Sequence, residues 1–123
     1  MEFNDNVLTL DSGISVAFNY PVQQVLDVGE LLIVLLATPG IGRPPLDVKA
    51  DIIATNNRNV FGIAKVDGRL VWQIPARTED VEASYVGMVL HRDGSLHVGE
   101  WKGVTVTLNP LTGREIGPRR WVK

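Results

Sequence analysis

The sequence predicts an all-β protein, a single-domain antiparallel sandwich or partly open barrel of about ten strands. Three observations carry that expectation. Short β-branched or aromatic runs alternate with turn residues along most of the chain. Asp-Gly pairs at 67–68 and 93–94 lie between apolar runs, a strong short-range hairpin signal. One run, "LLIVLLA" from Leu31 to Ala37, is apolar throughout, as a strand covered on both faces must be.

The elements follow in order. "VLTLDSGISVAF" reads as two strands around Asp11-Ser12-Gly13. "VQQVLDV" alternates apolar and polar like a half-buried strand, and Gly29-Glu30 joins it to "LLIVLLA" as a two-residue loop. A long connection follows, Thr38 to Arg58, in which Leu46, Ala50 and Ile53 recur near helical period within "PLDVKADIIA". Connections of this length are uncommon in compact domains and tend to be functional or mobile. "NVFGIAKV" and "LVWQI" flank Asp67-Gly68. A two-residue turn there sets Ile63 opposite Trp72 and Phe61 opposite Ile74. Phe61, Ile63, Leu70, Trp72 and Ile74 then form one bulky face, with Gly62, Ala64, Val71 and Gln73 on a small one. "VGMVLHR" and "LHVGEW" flank Asp93-Gly94-Ser95, "VTVTLN" runs into "PLTGREI", and the chain closes with "RRWVK".

The 123 residues fit one domain, 1–123, with the long connection at 38–58. The hairpins look like propeller blades, but the smallest closed propellers need about four blades of roughly 40 residues. A closed monomeric propeller is therefore excluded. The apolar faces must meet in a two-layer sandwich, in a partly open barrel, or against another copy. Lys plus Arg number 12 and Asp plus Glu 14, a formal charge of −2, which argues against a nucleic-acid surface. There is no cysteine, hence no disulfide and no thiolate metal site. The N-terminus lacks the basic-then-apolar order of a signal peptide, and the longest apolar run falls far short of the roughly 20 residues a membrane helix needs. A soluble, cytoplasmic protein without a membrane partner is expected.

Catalytic patterns are absent. Folding about Asp93-Gly94 sets His91 opposite Leu96 and Leu90 opposite His97, which points the two imidazoles to opposite faces and denies them a shared metal. "HRD" at 91–93 matches a kinase catalytic loop by letters, but Val98 stands where that pattern requires Asn. "PGIGRPP" lacks the third glycine of a phosphate-cradling loop. No catalytic residue, metal or cofactor is expected, and an enzyme or small-ligand binder would have to use His91 or His97. Binding candidates are plainer. In "PARTEDVEASY", Glu79, Asp80 and Glu82 face a single opposing charge, Arg77. That loop is either merely solvated or an acidic patch for a basic partner. Trp72 falls on the bulky face as core, while Trp101 is either edge packing or a partner-facing anchor.

"NVFGIAKVDGRLVWQI" and "VTVTLNPLTGREI" resemble the paired strands of quinoprotein-type propeller repeats. The larger series "YPVQQVL", "NRNVFGI", "GRLVWQIP" and "EWKGVTVTLNPLTG" is similar to small bacterial β-proteins, some of which accompany polymorphic-toxin genes as candidate immunity proteins. In this chain the 38–58 connection is longer than in that set. Small size, the absence of catalytic motifs, the acidic loop and this resemblance together lead to the expectation of a non-enzymatic protein-binding module that inhibits a basic toxin domain by occlusion, with Glu79, Asp80, Glu82 and Trp101 as its surface. The alternative is an assembly module that forms homo-oligomers through β edges.

Overall fold

Eleven strands form among the described residues of the computed structural model, which are 1–18, 20–37, 58–75, 85–100 and 103–117, with the backbone of 120–121. They make three antiparallel sheets, each a meander in chain order. The first holds β1 (Glu2–Asn4), β2 (Val7–Thr9) and β3 (Ser15–Ala17). The second holds β4 (Val22–Val28), β5 (Leu31–Leu36), β6 (Val60–Ala64) and β7 (Leu70–Gln73). The third holds β8 (Tyr85–Leu90), β9 (Leu96–Glu100), β10 (Val104–Leu108) and β11 (Arg120–Trp121). The sheets stay separate and do not close into a barrel. The sandwich forms with three layers where two were expected. No helix among the described residues is long and apolar enough to cross a membrane. The stretch 45–54, where apolar residues recur near helical period, lies outside the described residues.

β5 explains the third layer. All six of its residues are buried, and successive side chains point to opposite faces of the sheet. Leu31, Ile33 and Leu35 join Val60, Trp72 and Ile74 against Met88, Leu96, Val98, Val106 and Leu108 of the third sheet. Leu32, Val34 and Leu36 join Ile63 against Leu8 and Leu10 of the first, with Phe18 and Phe61 in ring contact at 5.6 Å. Each such aliphatic side chain contributes about 1.5–3 kcal/mol on burial. The Gly29-Glu30 turn has the expected length, since Val28 pairs with Leu31.

The Asp67-Gly68 hairpin differs from expectation. Ala64 N–H donates to Arg69 O at 3.0 Å and Gly68 N–H to Ala64 O at 2.9 Å, so the turn spans residues 65–68 rather than two. Gly62 therefore stands opposite Trp72, with a bulge beside it. Phe61 and Ile63 face the first sheet while Trp72 and Ile74 face the third, and Leu70 is 56% exposed. A change of turn length reassigns faces because side chains alternate with period two.

The revised register has a steric reason. A Cβ at Gly62 would overlap the Trp72 indole at Nε1, Cε2 and Cδ1, and one at Gly113 would come within 2.6 Å of its Cδ2 and Cε3. The indole occupies the space that two missing side chains leave. Its Nε1–H donates to Pro110 O at 2.8 Å, which ties β7 to the segment after β10 in the next sheet. Asn59, fully buried, makes a second tie. Its Nδ2 donates to Leu36 O and Tyr85 O, both at 2.8 Å, and its Oδ1 accepts from Tyr85 N–H at 3.0 Å. Gln24 makes a third, donating to Met88 O at 2.9 Å and accepting from Met88 N–H at 3.2 Å.

Two mutational outcomes follow in urea unfolding. Gly62→Ala overpacks the indole and costs about 1–3 kcal/mol, whereas Gly99→Ala, whose new Cβ would meet nothing within 4 Å, stays within about 0.5 kcal/mol of the parent. Asn59→Ala strands a buried amide and two carbonyls and costs roughly 3 kcal/mol or more.

Candidate functional site

The β8–β9 turn is where chemistry-bearing side chains converge. His91 N–H donates to Ser95 O at 2.9 Å, and Gly94 N–H to His91 O at 3.0 Å, leaving a three-residue loop of 92–94. His91 is thus opposite Ser95, Leu90 opposite Leu96 and Val89 opposite His97. This is one residue away from the register expected for the turn, and a one-residue slip moves side chains across the sheet. Both histidines consequently share the outer face as diagonal neighbours, and their rings stack with centroids 3.6 Å apart. The expectation of imidazoles on opposite faces is corrected.

Asp93 and Ser95 complete the cluster. Asp93 Oδ1 accepts from Ser95 N–H at 3.0 Å and from Ser95 Oγ–H at 2.6 Å. Ser95 Oγ also lies 3.3 Å from His97 Nε2. These hydrogen bonds hold the Asp93 carboxyl below the usual carboxylate range, the Ser95 side chain contributing most and its backbone next, with both imidazoles helping.

Aspartate, serine and histidine here do not form a nucleophilic relay. A relay needs the serine proton on histidine and the carboxylate on the far side of the imidazole. Here the serine donates to aspartate, so a bond between His97 Nε2 and Ser95 Oγ runs from imidazole to hydroxyl. The order is inverted. No group of three metal-ligating side chains occurs among the described residues.

The cluster borders a groove of about 730 Å³. Its polar side is Asp93, Ser95, His97 and Thr107, and its apolar side is Val28 with Leu111 and Ile116. Leu111 is 54% exposed and Ile116 48%, so the rim presents aliphatic surface to solvent. Among the described residues that line it, Asp93 is the single carboxylate and none is lysine or arginine. The Asn109 to Gly113 loop that carries Leu111 rests on the Trp72 indole, so the core fixes the rim.

The residues expected to form a partner surface, Glu79, Asp80, Glu82 and Trp101, lie outside the described residues. The strands flanking their segments are described, and Tyr85 pairs with Glu100 at the strand ends opposite the groove. Apart from His97, the groove residues escaped sequence reasoning because their juxtaposition depends on the turn register. The available signal was Asp-x-Ser, in which an aspartate accepts from the amide two residues on.

Comparisons with known proteins can now be set beside this geometry. A family model described as Domain of unknown function (DUF7957) matches residues 1–118. The chain belongs to that family. No curated protein matches it. Among solved structures it is similar to BamB from Moraxella catarrhalis, a β-propeller protein, with a TM-score of 0.57 and 16% identity over 88% of this chain. The match covers 26% of the BamB chain, so this chain spans about a quarter of that protein's length. At this identity the likeness concerns fold.

The Asp93 geometry predicts a pH response. A carboxyl with a depressed folded pKa stabilises the turn above the usual carboxylate range, and that contribution is lost as pH falls through the folded value. A carboxyl-carbon NMR titration should place Asp93 below the usual carboxylate range in the parent. In Ser95→Ala it should move upward, because the largest cause of the depression is removed.

Proposed function

We propose that this chain is a non-enzymatic protein-binding module that captures a basic partner in the groove beside Asp93. One observation supports this above the rest: an ionised carboxylate shares a groove with half-exposed aliphatic side chains, and no lysine or arginine is among the described residues that line it. That combination suits a lysine or arginine flanked by an apolar residue. The charge pair sets orientation and the rim excludes water. The inverted serine–aspartate arrangement supports binding over hydrolysis.

The resemblance to proteins that accompany toxin genes supplies the partner class. The chain is then an inhibitor of a basic bacterial toxin domain, acting by occlusion of that domain's anion-binding surface. Glu79, Asp80, Glu82 and Trp101 enter as a second acidic contact region with an aromatic anchor. Together with Asp93 they give the module a favourable long-range field for a cationic partner, whose association rate falls as salt rises.

The test is co-expression with the toxin domain from the neighbouring gene and calorimetric titration of the purified pair. A complex and restored growth are expected. Asp93→Lys should weaken the complex about tenfold or more, as should combined Lys replacement of Glu79, Asp80 and Glu82. Absence of both complex and protection, or affinity indifferent to both charge reversals, defeats the reading.

A further inference from the structure

The three sheets are not equal in strand number. Each is a meander whose last strand leads to the first strand of the next: β3 to β4, and β7 to β8. The second and third sheets have four strands and the first has three. Aligning the sheets by their last strands makes β3 the counterpart of β7 and β11, and β1 the counterpart of β5 and β9. The position held by β4 and β8 is empty in the first sheet, among the described residues, on the free edge of β1.

Phe3 bears the mark of that vacancy. It sits in register with Leu8 and Val16, on the face turned toward the second sheet. Leu8, its partner in register on β2, is fully buried, yet Phe3 is 43% exposed. Among the described residues no strand stands beyond it. The backbone points the same way. Asn4 pairs with Val7 across the two-residue turn Asp5-Asn6, where Asp5 adopts φ +56°. The residues flanking such a turn exchange the closing hydrogen bonds, and the next pair does not. Phe3 is that next residue, so its N–H and C=O face the free edge.

We propose that β1 pairs antiparallel with β1 of a second copy, across a two-fold axis at Phe3. With its outward donor and acceptor at the centre of a three-residue strand, Phe3 is self-complementary: each copy's N–H donates to the other's C=O. A two-fold axis makes such an interface closed and isologous. The two Phe3 rings lie side by side and cover each other. Glu2 of one copy stands opposite Asn4 of the other, so no like charges meet, whereas parallel pairing would set Glu2 beside Glu2. The joined sheet has six strands, and each copy fills the empty position of the other. This inference is independent of the groove, which lies on other elements and stays open in the dimer.

The chain contains no cysteine, so a single introduced thiol reports this contact alone. Opposed Phe3 Cα atoms would stand about 5.5 Å apart, within disulfide reach. Mild oxidation should convert Phe3→Cys to a covalent dimer. Glu2→Cys should not cross-link, because its counterpart is displaced two residues along the strand. In sedimentation equilibrium the parent should show a concentration-dependent monomer–dimer equilibrium. Phe3→Lys should raise its dissociation constant about tenfold or more and, at a dilution where the parent is monomeric, leave the urea midpoint in place. A parent that is monomeric throughout overturns the proposal. So does a dimer that survives Phe3→Lys, or one in which Phe3→Cys and Glu2→Cys cross-link alike.

Discussion

The architecture depends on one indole. Trp72 lies where Gly62 and Gly113 leave no side chain, and its single polar atom donates to Pro110 O at 2.8 Å. Hydrophobic burial alone would let two sheets slide past each other, because it is proportional to area and has no direction. A buried indole with one donor is different. Its bulk needs both glycines, and its N–H needs an acceptor at a defined place on the neighbouring sheet. Satisfying both sets the relative position of β7 and the segment after β10. Leu111, next to Pro110, is held at the groove rim by the same contact. Core packing and site geometry are thus one constraint.

The other two ties act in the same way at different places. Asn59 spends its carboxamide on the end of β5 and the start of β8, with every bond 3.0 Å or shorter. Buried polar groups carry a large penalty when unpaired and a small net gain when paired, so such an amide selects one arrangement more than it adds stability. Gln24 reaches from β4 to the exposed edge of β8 and satisfies both backbone groups of Met88. An unpaired edge is a template for unwanted pairing, and a side-chain amide that imitates a strand closes it. The edge of β1 has no such cover among the described residues.

Much of this was legible in the sequence. The unbroken apolar run of β5 could only belong to a strand covered twice, and it is. Val28 pairing with Leu31 follows from Gly29-Glu30, and the Asp11-Ser12-Gly13 turn joins β2 to β3 as its composition implies. The length of the chain excluded a closed propeller while the hairpins still resembled blades, which agrees with a likeness to a quarter of one. The short hairpin of β1 and β2 was missed, because "EFNDNV" carries too few apolar residues to show a period. Glu79, Asp80, Glu82 and Trp101 fall on segments beyond the described residues, so the surface they were expected to form rests on their charge and aromatic character alone.

The misread turns share a physical cause, and that cause also builds the site. An Asp-Gly pair closes a two-residue hairpin when aspartate takes positive φ. At Asp67 and Asp93 the aspartate carboxylate instead accepts from the amide two residues later, Arg69 at 3.1 Å and Ser95 at 3.0 Å. Asn109 does the same with Leu111 at 2.9 Å. A side chain that caps its own turn lengthens the loop and leaves the glycine to supply the left-handed residue. At 67 this brings Gly62 under Trp72. At 93 it sets both histidines, Ser95 and the depressed carboxylate on one side of the sheet, and at 109 it raises Leu111 opposite them. Periodicity and dipeptide rules see strands and the existence of turns. The count of residues within a turn is decided by these capping bonds, and the groove is assembled from two of the three turns that use them.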